Sequence, residues 1–189
     1  MGVLLFIKKT RAIKIFLLLW NSPLPRYVKL NIDESAMGNP GYSGGGGIIH
    51  DSYGRVIGAF SSFYGYQTNT KAEAMALMEG LQLCLFLDLC NVIVEMDSLT
   101  MLNTVKRLQK CPWRIHGEVI RISGLLAKVE FILTQCYRKV NFTVDGLAKL
   151  LVQNRISSIY EATMLPAAIT GVIHLDARQF PYIHRLSTM

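Results

Sequence analysis

The sequence predicts one α/β domain: a mixed five-stranded sheet, three antiparallel strands followed by parallel additions, flanked by helices. Three observations predict it. Strand-like runs between residues 27 and 60 are joined by short turns, as in an antiparallel meander. A helical pattern from Lys71 to Leu87 then leads into the apolar run Val92 to Met96. That run has the length and continuity of a buried central strand. Helical and β-rich segments alternate from there to about Ile156, which places helices over the sheet.

Tyr27 to Ile32 alternates apolar and polar residues like a half-buried strand. Gly38-Asn39-Pro40-Gly41 is a loop, and Gly44 to Gly47 leads into Ile48-Ile49-His50. Asp51-Ser52-Tyr53-Gly54 is a turn ending on glycine, and Arg55 to Phe60 returns as the third strand. Asn69-Thr70 is the expected cap of the Lys71–Leu87 helix. Ser98 or Thr100 caps a second helix running through Leu108, Ile115 to Ala127 is a third, Val129 to Tyr137 is β-rich, and Val144 to Ile156 is helical. The domain is thus expected over 27–156, with a basic, apolar, poorly ordered leader at 1–26 and an extension at 157–189.

At 189 residues the chain can bury a substantial core, and 51% apolar against 17% charged residues excludes a disordered chain. Six of its seven net positive charges lie in residues 1–29, on Lys8, Lys9, Arg11, Lys14, Arg26 and Lys29. The basic balance suits a polyanion, but most of it lies outside the expected domain. Cys84, Cys90, Cys111 and Cys136 have neither the spacing nor the histidines of a zinc site, and the length needs no disulfides. The uncharged run Ile15 to Pro25 is too short to span a bilayer. An intracellular protein of nucleus or cytoplasm is expected, with an organelle-targeting leader as the alternative.

Four carboxylates punctuate these elements. Asp33 ends the first strand, Glu73 begins the first helix, Asp97 ends the Val92–Met96 strand, and Asp145 opens the last helix. Taken one at a time they read as dipole-complementing or capping acids. Together, in this order, they read as a site. Phosphodiester hydrolysis needs an activated water and relief of phosphate charge, which two divalent ions about 4 Å apart supply. Such ions take oxygen ligands, and carboxylates clustered without them repel one another. Glu79 follows Glu73 by six residues, about 240° around the helix, and is not expected in the group.

The chain resembles type 1 ribonuclease H, and most closely the plant ribonuclease H-like domains related to retrotransposon reverse transcriptases. The resemblance runs from Trp20 to Leu150 through Val28-Lys29-Leu30-Asn31-Ile32-Asp33, Gly38-Asn39-Pro40-Gly41, Ala72-Glu73-Ala74, Glu79-Gly80-Leu81, Glu95-Met96-Asp97-Ser98, Asn141 and Asp145-Gly146-Leu147-Ala148. It implies a ribonuclease H-like fold and an endonuclease cutting the RNA strand of RNA–DNA hybrids with two Mg²⁺ or Mn²⁺ ions. Asp33, Glu73, Asp97 and Asp145 would be catalytic residues and metal ligands, and a monomer is expected. Asn39 would contact the hybrid minor groove, where 2′-hydroxyls mark RNA, or make an Asx turn. Ser98 would touch substrate or cap the next helix. Gln135 stands, ten residues before Asp145, where the family usually has a histidine. It can hydrogen-bond substrate but cannot shuttle a proton at neutral pH. Glu34 replaces a usual glycine, and would either crowd the site or point away. Val144 and Gly146 replace common alanines. These departures imply a slow enzyme or, alternatively, an inactive retroelement-derived nucleic-acid-binding domain.

Overall fold

Three long strands form the start of the sheet in the computed structural model, which describes residues 13–155, 157–161 and 164–187. They are β2 (Val28–Gly38), β3 (Gly41–His50) and β4 (Val56–Gln67), preceded by β1 (Ile13–Leu18). There follow α1 (Asn69–Phe86), β5 (Asn91–Met96), α2 (Leu99–Val105), a 3₁₀ turn at Trp113–Ile115, α3 (His116–Leu126), β6 (Glu130–Gln135) and α4 (Phe142–Asn154). The chain closes with β7 (Ser158–Glu161), α5 (Ala167–Ala177) and β8 (Tyr182–Ser187).

The main sheet has six strands in the order β6-β5-β2-β3-β4-β7. β2, β3 and β4 are antiparallel neighbours, while β5 joins β2 and β6 joins β5 in parallel. The expected five-stranded sheet is therefore corrected to six. The sixth strand is β7, four residues long, a run too short for its alternation to stand out in the sequence. It adds antiparallel to the otherwise open edge of β4.

Each face of the sheet has its own apolar cluster. Leu30, Ile32, Ile49, Phe60 and Val94 pack against Leu77 and Leu81 of α1, with Met101 and Ile122 in the same cluster. Ile48 and Ala59 pack against Val144 and Leu147 of α4 and against Ile169 and Ile173 of α5. The segment expected as an extension at 157–189 contributes α5, whose Ile169 and Ile173 join the sheet and α4 in this second cluster.

The segment before residue 27, expected as a leader, takes part in this packing. Trp20 is buried, donates its indole N–H to Asn31 Oδ1 at 3.1 Å and lies 4.8 Å from the His50 ring. Burial pushes His50 down to about 4, with Lys29 adding to the effect. β1 pairs antiparallel with β8 as a separate two-stranded sheet. Residues 1–12 of the expected leader lie outside the described residues. Among the described residues no helix is long and apolar enough to cross a membrane.

Gly44 to Gly47, which leads into Ile48-Ile49-His50, lies inside β3. The packing explains why a strand tolerates so many glycines. A Cβ at Gly45 would come within 2.6 Å of Ala76 Cβ on α1, and one at Gly46 within 3.2 Å of Leu147 Cβ on α4. Both helices approach β3 where side chains are missing. Gly45→Ala is expected to lower stability by about 1–3 kcal/mol, as overpacking does. A denaturant midpoint that falls at unchanged slope would show it. An unchanged midpoint would mean that α1 yields freely.

Candidate active site

Parallel pairing of β2 with β5 brings the first two acids together. The ladder ends with Asn31 beside Glu95, and Asp33 and Asp97 each lie two residues further on. They therefore lie on adjacent central strands, Asp33 midway along β2 and Asp97 just past the end of β5. Antiparallel pairing sets Asp33 opposite Gly46 and Glu34 opposite Gly45. Those are the two points at which α4 and α1 press on β3.

α1 delivers Glu73 in its second turn. The helix starts at Asn69, two residues earlier than the sequence suggested, because Thr68 is the cap, with Oγ1 accepting from the Lys71 N–H at 3.4 Å. α4 delivers Asp145, and Asn141 sets its position. The Asn141 Nδ2 donates to the Ile32 carbonyl at 2.6 Å, while its own carbonyl accepts from the Asp145 N–H at 3.0 Å. One buried amide thus ties the start of α4 to the residue before Asp33.

The four predicted acids interact electrostatically, with Asp33 acted on by the other three. Asp33 is pushed up to about 9 by burial, then by the charges of Asp97, Glu34, Glu73 and Asp145. Burial also raises Glu73 well above the carboxylate range, helped by Glu34 and Asp97 against the opposing pull of Arg138. Asp97 is raised by burial and by Asp145, again against Arg138. Asp33 Oδ2, Glu73 Oε1 and Asp145 Oδ1 are buried with no hydrogen-bond partner. Native proteins satisfy nearly all such atoms, and all three belong to acids whose charges act on one another. Oxygen donors of this kind suit Mg²⁺ or Mn²⁺. The donor set fits the ions. Yet among the described residues no three His, Cys, Asp or Glu side chains are already gathered tightly enough to grip one.

Four further residues take part that were not among the predicted site residues. Glu34 does not point away from the group: it is the first-ranked charge acting on Glu73 and the second on Asp33. Its own carboxyl is raised by burial and Asp97, against the hydrogen bonding of Asp33. Arg138 lies 3.9 Å from Asp97 Oδ2 and 4.0 Å from Asp145 Oδ1. Asn141 was visible as a motif residue but not as an anchor. Lys149, one turn after Asp145, pairs with its Oδ2 at 2.5 Å; the i,i+4 spacing was a usable signal.

The expected substrate residues are distributed differently. Gln135 is at the site's edge, its Nε2 donating to the Asp97 carbonyl at 3.3 Å. Ser98 caps α2, its Oγ accepting from the Met101 N–H at 3.2 Å, so its hydroxyl has a structural task. Asn39 stands apart from the acids at the β2–β3 hairpin, where its Oδ1 accepts from the Asn69 N–H at 3.1 Å. Glu79 is outside the group as expected, bonded to Ser62 Oγ and Tyr64 OH.

The raised carboxyls predict a pH dependence. A folded-state pKa above the unfolded one means that the folded protein keeps a proton that the unfolded chain gives up. This contribution is most favourable below the unfolded value near 4 and is lost as pH climbs toward about 9. The thermal midpoint of metal-free protein should decline over that window, and Asp33→Asn should flatten the decline. Parallel curves for the two proteins would contradict the assignment.

Comparison with known proteins gives this geometry a family. The model of the reverse transcriptase-like family matches residues 31–151. An Arabidopsis thaliana protein named as a candidate ribonuclease H protein is 27% identical over 158 residues, covering 83% of this chain and 25% of that protein. The chain thus spans a quarter of that relative's length. Among solved structures, RNase H1 of the halophilic archaeon Halobacterium salinarum is similar with a TM-score of 0.65 and 20% identity, over 69% of this chain and 99% of that one. LC11-RNase H1, isolated from compost by a metagenomic approach and solved in complex with an RNA/DNA hybrid, gives a TM-score of 0.63 and 24% identity, over 68% of this chain and 98% of that one. The chain belongs to the reverse transcriptase-like family and has a ribonuclease H-like fold.

Proposed function

We propose that this domain is a divalent-metal-dependent endonuclease that hydrolyses the RNA strand of RNA–DNA hybrids. The observation that carries this reading is the set of buried, unpartnered oxygens on Asp33, Glu73 and Asp145. With Asp97 beside Asp33, four carboxylates from two strands and two helices interact, the charges of the other three all acting on Asp33. They would hold two Mg²⁺ or Mn²⁺ ions, which supply charge neutralisation at the scissile phosphate and an activated water.

The chain's own groups have separable tasks. Asn141 fixes α4 against β2 and so sets the distance from Asp145 to Asp33. Gln135 holds the end of β6 to the Asp97 carbonyl and offers substrate a hydrogen bond, but no proton exchange at neutral pH. A cleft of about 420 Å³, lined by Tyr137, Arg138, Lys139, Phe142 and Asp145, opens the group to solvent on one side. Two cations on that rim, Arg138 and Lys139, suit a polyanionic backbone. The solved complex of LC11-RNase H1 with an RNA/DNA hybrid supports the substrate class.

A second reading, hybrid binding without turnover, is favoured by Gln135 at the usual histidine position. An assay on an end-labelled hybrid separates the two. The wild type should cleave the RNA strand with Mg²⁺ or Mn²⁺ and stop on chelation. Asp97→Asn should lose at least about 100-fold in rate, the order seen when a transition-state charge partner is removed. Salt-sensitive hybrid binding with no metal-dependent cleavage by the wild type would replace the endonuclease by the binding domain.

A further inference from the structure

Among the described residues, Arg138 is the one guanidinium paired with two of the four acids. It belongs to the loop between β6 and α4, two residues past the Cys136 N–H that closes onto the Met96 carbonyl at 2.9 Å and three before the Asn141 anchor. The loop is therefore held at both ends, and Arg138 is aimed back across the strand ends. Its Nε is 3.9 Å from Asp97 Oδ2 and its Nη2 is 4.0 Å from Asp145 Oδ1. These carboxylates come from different elements, so the guanidinium bridges β5 to α4.

Two features separate this arrangement from a permanent salt bridge. Both contacts are at the outer limit for an ion pair, and neither is a hydrogen bond of 2.7–2.9 Å as in a fixed bidentate pair. The Arg138 side chain is also 69% exposed and borders the open cleft beside Asp145. It has solvent and space to withdraw into. The Lys149 ammonium, by contrast, is held on Asp145 Oδ2 at 2.5 Å.

We propose that Arg138 is the resident counter-ion of the carboxylate group, occupying the space between Asp97 and Asp145 in metal-free protein and giving it up when a divalent cation enters. This rests on the metal-binding reading above and adds a residue to it. Metal entry then exchanges one cation for another and does not add charge to an empty ring. The guanidinium damps the mutual repulsion of the acids before metal arrives, and it weakens apparent metal affinity by competing for the same oxygens. Once displaced into the cleft, it stands at the rim where substrate phosphate must pass. Arg138 is a positioning residue here: it acts on the ligands and on no reacting atom.

Calorimetric titration with Mn²⁺ alone, on wild type and Arg138→Gln, tests this without a cleavage assay. Arg138→Gln should bind Mn²⁺ about five- to tenfold more tightly, a modest gain because exposed ion pairs are weak. Its metal-free thermal midpoint should fall below that of the wild type, and saturating Mn²⁺ should close the gap. Equal or weaker Mn²⁺ binding by Arg138→Gln, with the wild type binding normally, overturns the counter-ion role and leaves the metal site standing. No Mn²⁺ binding by either protein overturns both. If Arg138→Gln does not fold without metal, Arg138→Lys serves instead, because its single ammonium cannot span two carboxylates. Arg138→Lys should then bind Mn²⁺ more tightly than wild type by a smaller factor, and equal or weaker binding overturns the proposal.

Discussion

The close approach of two helices to β3, from opposite sides, sets the distances in everything that follows. Gly45 lets α1 come down on one face and Gly46 lets α4 come down on the other. Their partners across the β2–β3 ladder are Glu34 and Asp33. The same lack of side chains that thins the sheet at this point therefore brings Glu73 and Asp145 toward the strand that carries Asp33. A strand with ordinary β-branched residues there would pack well and hold its acids apart.

That convergence is electrostatically unfavourable in the metal-free protein. Burial and mutual repulsion push Asp33, Glu34, Glu73 and Asp97 the same way, and three carboxylate oxygens have no hydrogen-bond partner. Among the described residues, Arg138 and Lys149 answer that charge by ion pairing. Packing alone has no use for such a group, since apolar residues of similar size would be at least as stable. A cationic ligand gives it a purpose. Stability lost at the site is offset by the two apolar clusters and by polar anchors elsewhere, such as Asp176, which accepts from both Thr143 and Tyr182 at 2.6 and 2.5 Å.

Much of this was legible in the residues. Val92 to Met96 announced a central strand through its unbroken apolar run, and the order of the four acids announced a shared site. Other parts were hidden for physical reasons. The glycine run leads into a strand in the sequence, but which helices approach it, α1 at Gly45 and α4 at Gly46, is visible only in the packing. β7 is too short to show a period, and β1 has no meaning without β8, far along the chain. Arg138 carries no local signal, because its role depends on two carboxylates from elements distant in sequence. Glu34 was ambiguous by strand alternation alone, and the charges around Glu73 decide it.

The proposed metal site requires Asp33, pushed up to about 9, to give up its proton when a divalent ion binds. Calorimetric Mn²⁺ titration near pH 7.5, repeated in buffers of different ionisation enthalpy, measures protons exchanged on binding. Metal ligands must be deprotonated to bind, so the account predicts net proton release by the wild type, reduced in Asp33→Asn. Mn²⁺ binding with no proton release, or no binding at all, would contradict it.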